Sequence, residues 1–267
     1  MKLPPESENS DWNRVRKHDI EQTWDASIAP HVVASYSARI SFLVSEIEKR
    51  IPTGGRVLDM GCASGTLGLT LAERGYTVTL VDGCAGYLDY ARARHERGEV
   101  HFYTGYCDRK FPPGDAFDVV VCTEVLEHVR EPSELLGCLR DKVRAGGVVL
   151  LTTPNADYFR FRLPSFTEAT QEAIDSLVAN SKDGEEHRYF FTREEVLTLM
   201  RGVGMKIAGS GFFLPVWLTG EMKFRWLHRC SFRLHGKPLM LSGLPPKGVR
   251  WCARYLCASQ WFVGTRT

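Results

Sequence analysis

The sequence predicts an α/β fold built on a doubly wound, mostly parallel sheet. Three observations carry this. Arg56–Ala72 (RVLDMGCASGTLGLTLA) reads as an apolar strand, a turn of small residues and the opening of a helix. Tyr76–Asp82 (YTVTLVD) is a second strand that again ends in an acid. Two further apolar runs, Phe117–Cys122 and Val148–Thr153, continue the alternation of strand with helix-length segments that marks a parallel sheet.

Composition bounds what the chain can be. Its 267 residues suit one large domain with insertions or one domain plus a cap. A hydrophobic content of 43% is enough for a sizeable core. No apolar run reaches the roughly 18 residues that cross a bilayer. The opening MKLPPESENSDW lacks an apolar signal region, so a cytoplasmic product is expected. Cysteines 62, 84, 107, 122, 138, 230, 252 and 257 follow no disulfide or zinc spacing and are expected to be reduced thiols. Net charge is +2, but residues 220–267 hold nine Lys or Arg against one acid, Glu221. Such a tail can face an anionic partner, a membrane surface or the acidic body of the protein.

Taken in order, residues 1–20 are polar and expected to be loose. His31–Arg50 has helical spacing, and Pro52-Thr53-Gly54-Gly55 is the turn into the first strand. Gly61, Cys62, Ala63, Ser64 and Gly65 are all small, so a ligand can approach the backbone closely. Ligands of such sheets sit at the carboxyl ends of the strands. The step from Asp59 to Asp82 is about that of a nucleoside site, where the second acid accepts hydrogen bonds from ribose hydroxyls. A third unit ends at Tyr106-Cys107-Asp108. The Ala145-Gly146-Gly147 turn precedes the Val148–Thr153 strand. Residues 156–186 interrupt the sheet: Tyr158, Phe159, Phe161 and Phe166 lead into a helix and polar loop placed as a lid. These aromatics suit a flat or apolar ligand, or serve to pack the lid down. Thr192–Val203 is a helix with Thr192 and Glu195 at capping-box spacing. Met205–Gly211 is a strand, and Ala258–Thr265 is expected to pair with it as the antiparallel edge.

The densest chemistry follows the fourth strand, at Thr123-Glu124-Val125-Leu126-Glu127-His128. A helix beginning near Glu124 would put Glu124, Glu127 and His128 on one face. Two carboxylates and an imidazole so placed are ligand chemistry for a divalent ion. His187 is a second candidate, on a loop before the Thr192 helix. The alternative is a metal-free site: Glu124 caps a helix, His128 lines the site or acts as general base, and His187 packs beneath the lid. Glu221–His235 (EMKFRWLHRCSFRLH) mixes basic and aromatic residues. It fits a membrane-surface helix, a nucleic-acid surface, or an amphipathic helix whose Arg stems cover apolar neighbours.

The blocks VLDMGCASG, LVDG, FDVVVCTEVLEHV and LRDKVRAGGVVLLTTPN occur in the order and spacing of a known family. The chain resembles the class I S-adenosylmethionine (SAM) dependent methyltransferases over roughly residues 36–210. Within them it is similar to the ubiquinone-biosynthesis O-methyltransferase, or type 11, branch. The turn reads G-C-A-S-G, with Ala63 where the family has Gly, and not the GxGxxG of a dehydrogenase. The resemblance implies a Rossmann-like seven-stranded, mostly parallel sheet with helices on both faces and an acceptor lid at about 156–190. It implies a domain division of 1–30 as N-terminal extension, 31–211 as SAM-binding domain and 212–267 as a basic segment completing the domain.

By the same resemblance, Gly61, Cys62, Ala63, Gly65 and Gly83 lie against SAM, whose product is S-adenosylhomocysteine (SAH). Asp59 orients the turn or accepts from the cofactor's amino group, and Asp82 takes the ribose hydroxyls. Arg39, on a helix over the cofactor site, meets the cofactor carboxylate; otherwise it is a solvated surface arginine. Tyr106, Cys107 and Asp108 lie at adenine, where the family's Gly-Asp-Ala is replaced. Thr123 meets the amino group through its backbone. Glu124-x-x-Glu127-His128 with the later His187 is similar to the ubiquinone branch and to the branch that methylates the terminal ribose of small RNAs. Both imply Mg²⁺ or another divalent cation on Glu124, Glu127, His128 and His187, with Glu127, His128 and His187 as catalytic groups. The expected reaction is O-methylation of a small molecule, aromatic or lipid-like, by a cytoplasmic enzyme that the basic tail can bring to a membrane periphery. The alternatives are an RNA ribose 2′-O-methyltransferase, and a metal-free N- or C-methyltransferase with His128 as base.

Overall fold

The computed structural model describes residues 1–107, 116–161, 163–170, 172, 187–215 and 252–266. Asp108, Cys230, most of the stretch 171–186 and the whole of Glu221–His235 lie outside the described residues. Seven strands form one mixed sheet in the order β3 (Glu99–Thr104), β2 (Thr77–Asp82), β1 (Arg56–Met60), β4 (Phe117–Thr123), β5 (Val143–Pro154), β7 (Cys257–Arg266), β6 (Met205–Pro215). The chain divides into two compact units, one containing Met1–Tyr106, the other Cys107–Phe213 and the C-terminal strand.

In the first unit, helix α1 (Ser10–Asp19) starts at Asn9, whose side chain accepts from the Asp11 and Trp12 N–H groups. It widens into one π-helical turn at Ile20–Trp24, closed by the Asp25 N–H donating to the Ile20 carbonyl. The N-terminal stretch is therefore not loose. Val15 and Asp19 are buried, and the Trp12 ring packs edge-on against Tyr90. Helix α2 (Pro30–Glu48) opens on Pro30, where no intrahelical donor is lost, and buries Val33, Ala38, Phe42, Leu43 and Ile47. Strands β1 (Arg56–Met60), β2 (Thr77–Asp82) and β3 (Glu99–Thr104) pair in parallel. Helices α3 (Thr66–Glu73) and α4 (Ala85–Arg94) follow β1 and β2. Asp82 ends β2 as the sequence predicts, opposite Thr104, while Asp59, opposite Leu80, stands one residue before the end of β1 at Met60.

In the second unit, β4 (Phe117–Thr123) pairs in parallel with β5 (Val143–Pro154), Thr123 opposite Thr152. The expected turn at Ala145-Gly146-Gly147 is instead the irregular start of a longer β5, with a register shift between Phe117 and Val119 and Gly146 at φ +74°. Helix α5 (Pro132–Lys142) connects the two. Helix α6 (Arg193–Gly202) has the predicted Thr192–Glu195 capping box. After β6 (Met205–Pro215) come the short α7 (Ala253–Leu256) and β7 (Cys257–Arg266).

Strand β7 runs antiparallel to β5, Leu150 opposite Val263, and lies between β5 and β6. The edge is therefore β6, not the final strand. Its side chains explain the placement: Ser259, Gln260, Phe262 and Val263 are all buried, the pattern of an interior strand. Gly209 and Gly211 of β6 leave room for Trp261, whose ring a Cβ at Gly211 would approach to 2.9 Å.

Candidate active site

The first unit shapes a small-residue loop between β1 and α3. Gly61, Ala63 and Gly65 have φ of +73°, +46° and +76°, so the single non-glycine here adopts a left-handed conformation that costs roughly 1–2 kcal/mol. The loop is tied down from beneath and from the side. The Gly61 and Cys62 N–H groups donate to the Val81 carbonyl at 2.8 and 3.0 Å. Asp82 accepts from the Ala63 N–H on Oδ2 and from the Cys84 N–H on Oδ1, both at 2.9 Å. One carboxylate thus clamps the two loops. Ala63, Gly83 and Cys84 are exposed beside it. Tyr106, 79% exposed, lies over Gly83, where a Cβ would stand 2.5 Å from its ring.

Asp59 is buried beneath the loop, and its carboxylate accepts from the Gly68 N–H. Burial raises its pKa to about 7; the Gly68 bond opposes this and the Asp82 charge adds to it. Burial, reinforced by Asp59 and Asp82, also pushes the Cys62 thiol well up, so Cys62 is no nucleophile. Arg39 is half-buried on α2, and its charge acts on Tyr36, whose hydroxyl shares a hydrogen bond with the Thr66 side chain. Burial dominates at Tyr36 and raises its pKa.

The second unit gathers the acid–histidine chemistry, but not on a helix. Glu124 sits at φ +53°, and only one 3₁₀ turn, Leu126–His128, follows. A left-handed residue interrupts helical spacing, so the expected shared face of Glu124, Glu127 and His128 does not form. The Glu124 N–H donates to the Thr152 carbonyl at 2.9 Å, and its Oε1 accepts from Thr152 Oγ1 at 2.9 Å. Glu127 is fully buried, and its Oε2 accepts from Thr153 Oγ1 at 2.9 Å. Its Oε1 lies 4.0 Å from His187 Nε2. The His128 and His187 rings meet edge-to-face with centroids 4.8 Å apart.

The His187 loop is stitched to the 3₁₀ turn through its backbone. The Arg188 N–H donates to the Glu127 carbonyl at 3.0 Å, Arg188 Nε to the His128 carbonyl at 2.8 Å, and the Tyr189 hydroxyl to the Val129 carbonyl. Glu127, His128 and His187 consequently present ligand atoms within 4.8 Å of one another. Glu124 is not in this group. Burial lowers the His187 pKa, the His128 charge lowers it further, and Glu124 opposes both. His187 therefore keeps a lone pair at neutral pH.

Around the cluster, Phe161 stacks obliquely on Phe190 at 4.5 Å and Tyr158 meets Phe161 edge-on at 5.0 Å. Phe166 stacks on Phe191 at 5.3 Å. The lid aromatics thus pack the segment down, and of the four only Phe159 stays largely exposed. Thr123 closes β4. Cys107 shares a thiol–thiol hydrogen bond with Cys138, which with burial drives its pKa far up. Three groups escaped sequence reasoning: Thr152 and Thr153, which orient the two glutamates, and Arg94, buried behind the glycine loop. The polar pair Thr152-Thr153 closing an apolar strand was the available signal for the first two; Arg94 reads merely as a last-turn helix cation.

This sheet order, with a left-handed glycine loop after β1 and an acid closing β2, defines a class I SAM-dependent methyltransferase. The chain belongs to the methyltransferase-domain family, whose pattern residues 32–208 match. The ubiquinone biosynthesis O-methyltransferase of Dinoroseobacter shibae is 32% identical over 156 residues, covering 57% of this chain and 60% of that protein. The chain spans 60%, 44% and 48% of the length of three such curated relatives. Among solved structures, the SAH-bound magnesium protoporphyrin IX methyltransferase of Synechocystis is similar in fold, with a TM-score of 0.57 and 14% identity over 97% of this chain and 96% of that one. A SAM-dependent methyltransferase of Mesorhizobium loti gives a TM-score of 0.59 and 16% identity over 87% and 98%. No helix among the described residues is long and apolar enough to cross a membrane.

Proposed function

We propose that the chain transfers the methyl group of SAM to a hydroxyl oxygen of a small molecule, with a divalent cation on Glu127, His128 and His187 organising adjacent acceptor hydroxyls. The observation that carries this is the buried Glu127 carboxylate facing the His187 imidazole at 4.0 Å with His128 packed against it. The name of the Dinoroseobacter relative, an O-methyltransferase, supports oxygen as the acceptor atom.

The donor set fits a cation. One carboxylate and two imidazoles, with His187 held unprotonated, suit zinc, manganese or iron better than magnesium, which prefers oxygen. Glu124 is left out because its carboxylate is not among the ligand atoms that lie within 4.8 Å of one another. Bound there, the cation would lower the pKa of a coordinated hydroxyl. SAM supplies an electrophilic methyl group. The chain's own residues have three tasks: to hold the donor, orient the acceptor and ease the loss of its proton. Asp82 receives the ribose hydroxyls. Gly61, Cys62, Ala63, Gly65 and Gly83 offer a close backbone, Asp59 orients the loop, and Arg39 meets the carboxylate. Thr123, Cys107 and Asp108 complete the cofactor contacts. With the cation bound, the lone pairs of His128 and His187 are committed to it and the proton of the activated hydroxyl would pass to water; without a cation, His128 would accept that proton. In this proposal residues 31–211 form the SAM-binding domain, residues 1–30 precede it, and the basic 212–267 segment completes it and can bring it to a membrane periphery.

The test combines elemental analysis of the purified protein with methyl transfer to a catechol and to a monophenol, before and after EDTA. We expect about one divalent ion per chain, lost in Glu127→Ala and His187→Ala. We also expect a catechol preference that EDTA removes and Mn²⁺ or Zn²⁺ restores. EDTA-insensitive transfer without bound metal would replace the cation by His128 acting as base. Absence of SAH binding would sink methyl transfer itself.

A further inference from the structure

Arg94 ends α4 with its side chain wholly out of solvent. A single nitrogen, Nη1, shares its two hydrogens among oxygens within reach on the glycine loop and the start of α3: the Ser64 carbonyl at 2.8 Å, Ser64 Oγ at 3.2 Å and Thr66 Oγ1 at 2.8 Å. Its counter-charge is Asp19 Oδ1 at 3.2 Å, on a side chain only 1% exposed. Asp19 ends α1, and its carboxylate also accepts from Thr23 Oγ1, Trp24 Nε1 and the Tyr90 hydroxyl at 3.2, 2.8 and 3.0 Å. The π-helical turn at Ile20–Trp24 brings Thr23 and Trp24 back onto it.

The placement does not serve Arg94 itself. Its Nε is buried and meets no hydrogen-bond acceptor among the described residues, a cost in stability. A buried ion pair is a poor stabiliser beside apolar residues of the same volume. What the guanidinium does achieve is geometric. Ser64 lies between Ala63 and Gly65, both left-handed. The peptide plane between Ser64 and Gly65 is held at both ends: its N–H donates to the Cys62 carbonyl at 2.9 Å and its carbonyl is pinned by Arg94, which together fix the Gly65 φ. The N–H bond closes the turn on itself, and Arg94 is the side chain that ties that plane to α4 and to Asp19.

We propose that Arg94, charge-compensated by Asp19, is the positioning residue of the cofactor loop. The N-terminal helix that carries Asp19 is thereby part of the nucleoside-binding apparatus. This rests on SAM binding at the loop.

The experiment is calorimetric titration of SAH into the full chain and into the double variant Asp19→Asn/Arg94→Met, which removes both charges and leaves neither orphaned. The variant is expected to melt no lower than the wild type, yet to lose SAH affinity by about tenfold or more. Its KM for SAM rises while its KM for the acceptor stays put. Arg94→Lys, with Asp19 intact, is expected to recover part of the affinity. Leu139→Ala, a core truncation in α5, lowers the melting point and leaves SAH affinity within twofold. If the double variant does not fold, Ser64→Ala/Thr66→Val removes two of the three contacts and is expected to weaken SAH several-fold. Unchanged SAH affinity in the folded variants overturns the positioning role alone. A wild-type chain that binds no SAH overturns this proposal and the cofactor reading together.

Discussion

Two aspartates twenty-three positions apart look alike in the sequence, both closing an apolar strand, and the structure gives them opposite environments. Asp82 is partly exposed and clamps two backbone N–H groups. Asp59 is buried, and burial raises its pKa to about 7. The consequence for stability has a definite sign. The unfolded carboxylate titrates near 3.8 and the folded one near 7, so between these values the folded state binds more protons. Stability therefore falls as pH rises through that window and reaches its floor above pH 7. A shift of this size corresponds to about 4 kcal/mol. Asn in place of Asp59 keeps an acceptor for the Gly68 N–H without the charge. Asp59→Asn is expected to melt several degrees above the wild type at pH 8 and by a clearly smaller margin at pH 5, as thermal unfolding at the two pH values would show. An equal difference at both would mean that the carboxylate is not carrying a buried charge.

At the scale of elements, α3 lies against β2 through Gly68. A Cβ there would stand 2.2 Å from Leu80 Cδ2 and 3.0 Å from Val78 Cγ1. Helix propensity favours Ala over Gly by about 1 kcal/mol, but forcing a methyl into this contact costs about 1–3 kcal/mol. Gly68→Ala is expected to lower the denaturation midpoint despite the better propensity. Gly65→Ala adds a left-handed residue to contacts of 3.0 and 3.1 Å with Ala91 and Leu80 and is expected to cost more; chemical denaturation would rank them. Elements of this kind were legible wherever the information is local. Hydrophobic spacing gave β1, β2, β4 and the core of β5, and the Thr192–Glu195 pair gave the start of α6. The segment after β4 was not legible as built. A glutamate with positive φ carries no sequence mark, so the one 3₁₀ turn at Leu126–His128 could not be told from a helix. The helicity of Ser10–Asp19 was hidden for a related reason: its anchor is Asp19 on a distant Arg94, a pairing that polar composition does not reveal.

For the whole molecule, the sheet order depends on pairings that span the chain, such as Val148 with Thr265. Spacing predicted that a final antiparallel strand exists, but local pattern could not decide that β7 lies between β5 and β6. The candidate site divides in the same way. The loop at Asp59–Gly65 and Asp82 was readable as one motif, whereas the joining of His187 to Glu127 across some sixty residues rests on bonds from the Arg188 N–H, the Arg188 side chain and the Tyr189 hydroxyl to backbone carbonyls of the turn. The two sets of residues share no member: loop and acids at 59–84, cluster at 127, 128 and 187. Cofactor and cation should therefore act on stability through separate binding terms. SAH at a hundred times its dissociation constant stabilises the folded state by about 2.7 kcal/mol, which for a protein of this size is a rise of roughly 5–10 °C in melting point. That rise is expected to persist in EDTA, and Mn²⁺ or Zn²⁺ is expected to add its own increment, abolished in Glu127→Ala. Differential scanning fluorimetry across the four conditions reads both effects. Loss of the SAH shift in EDTA would instead make the cation a component of the cofactor site, and the division of labour between Asp82 and Glu127 would have to be abandoned.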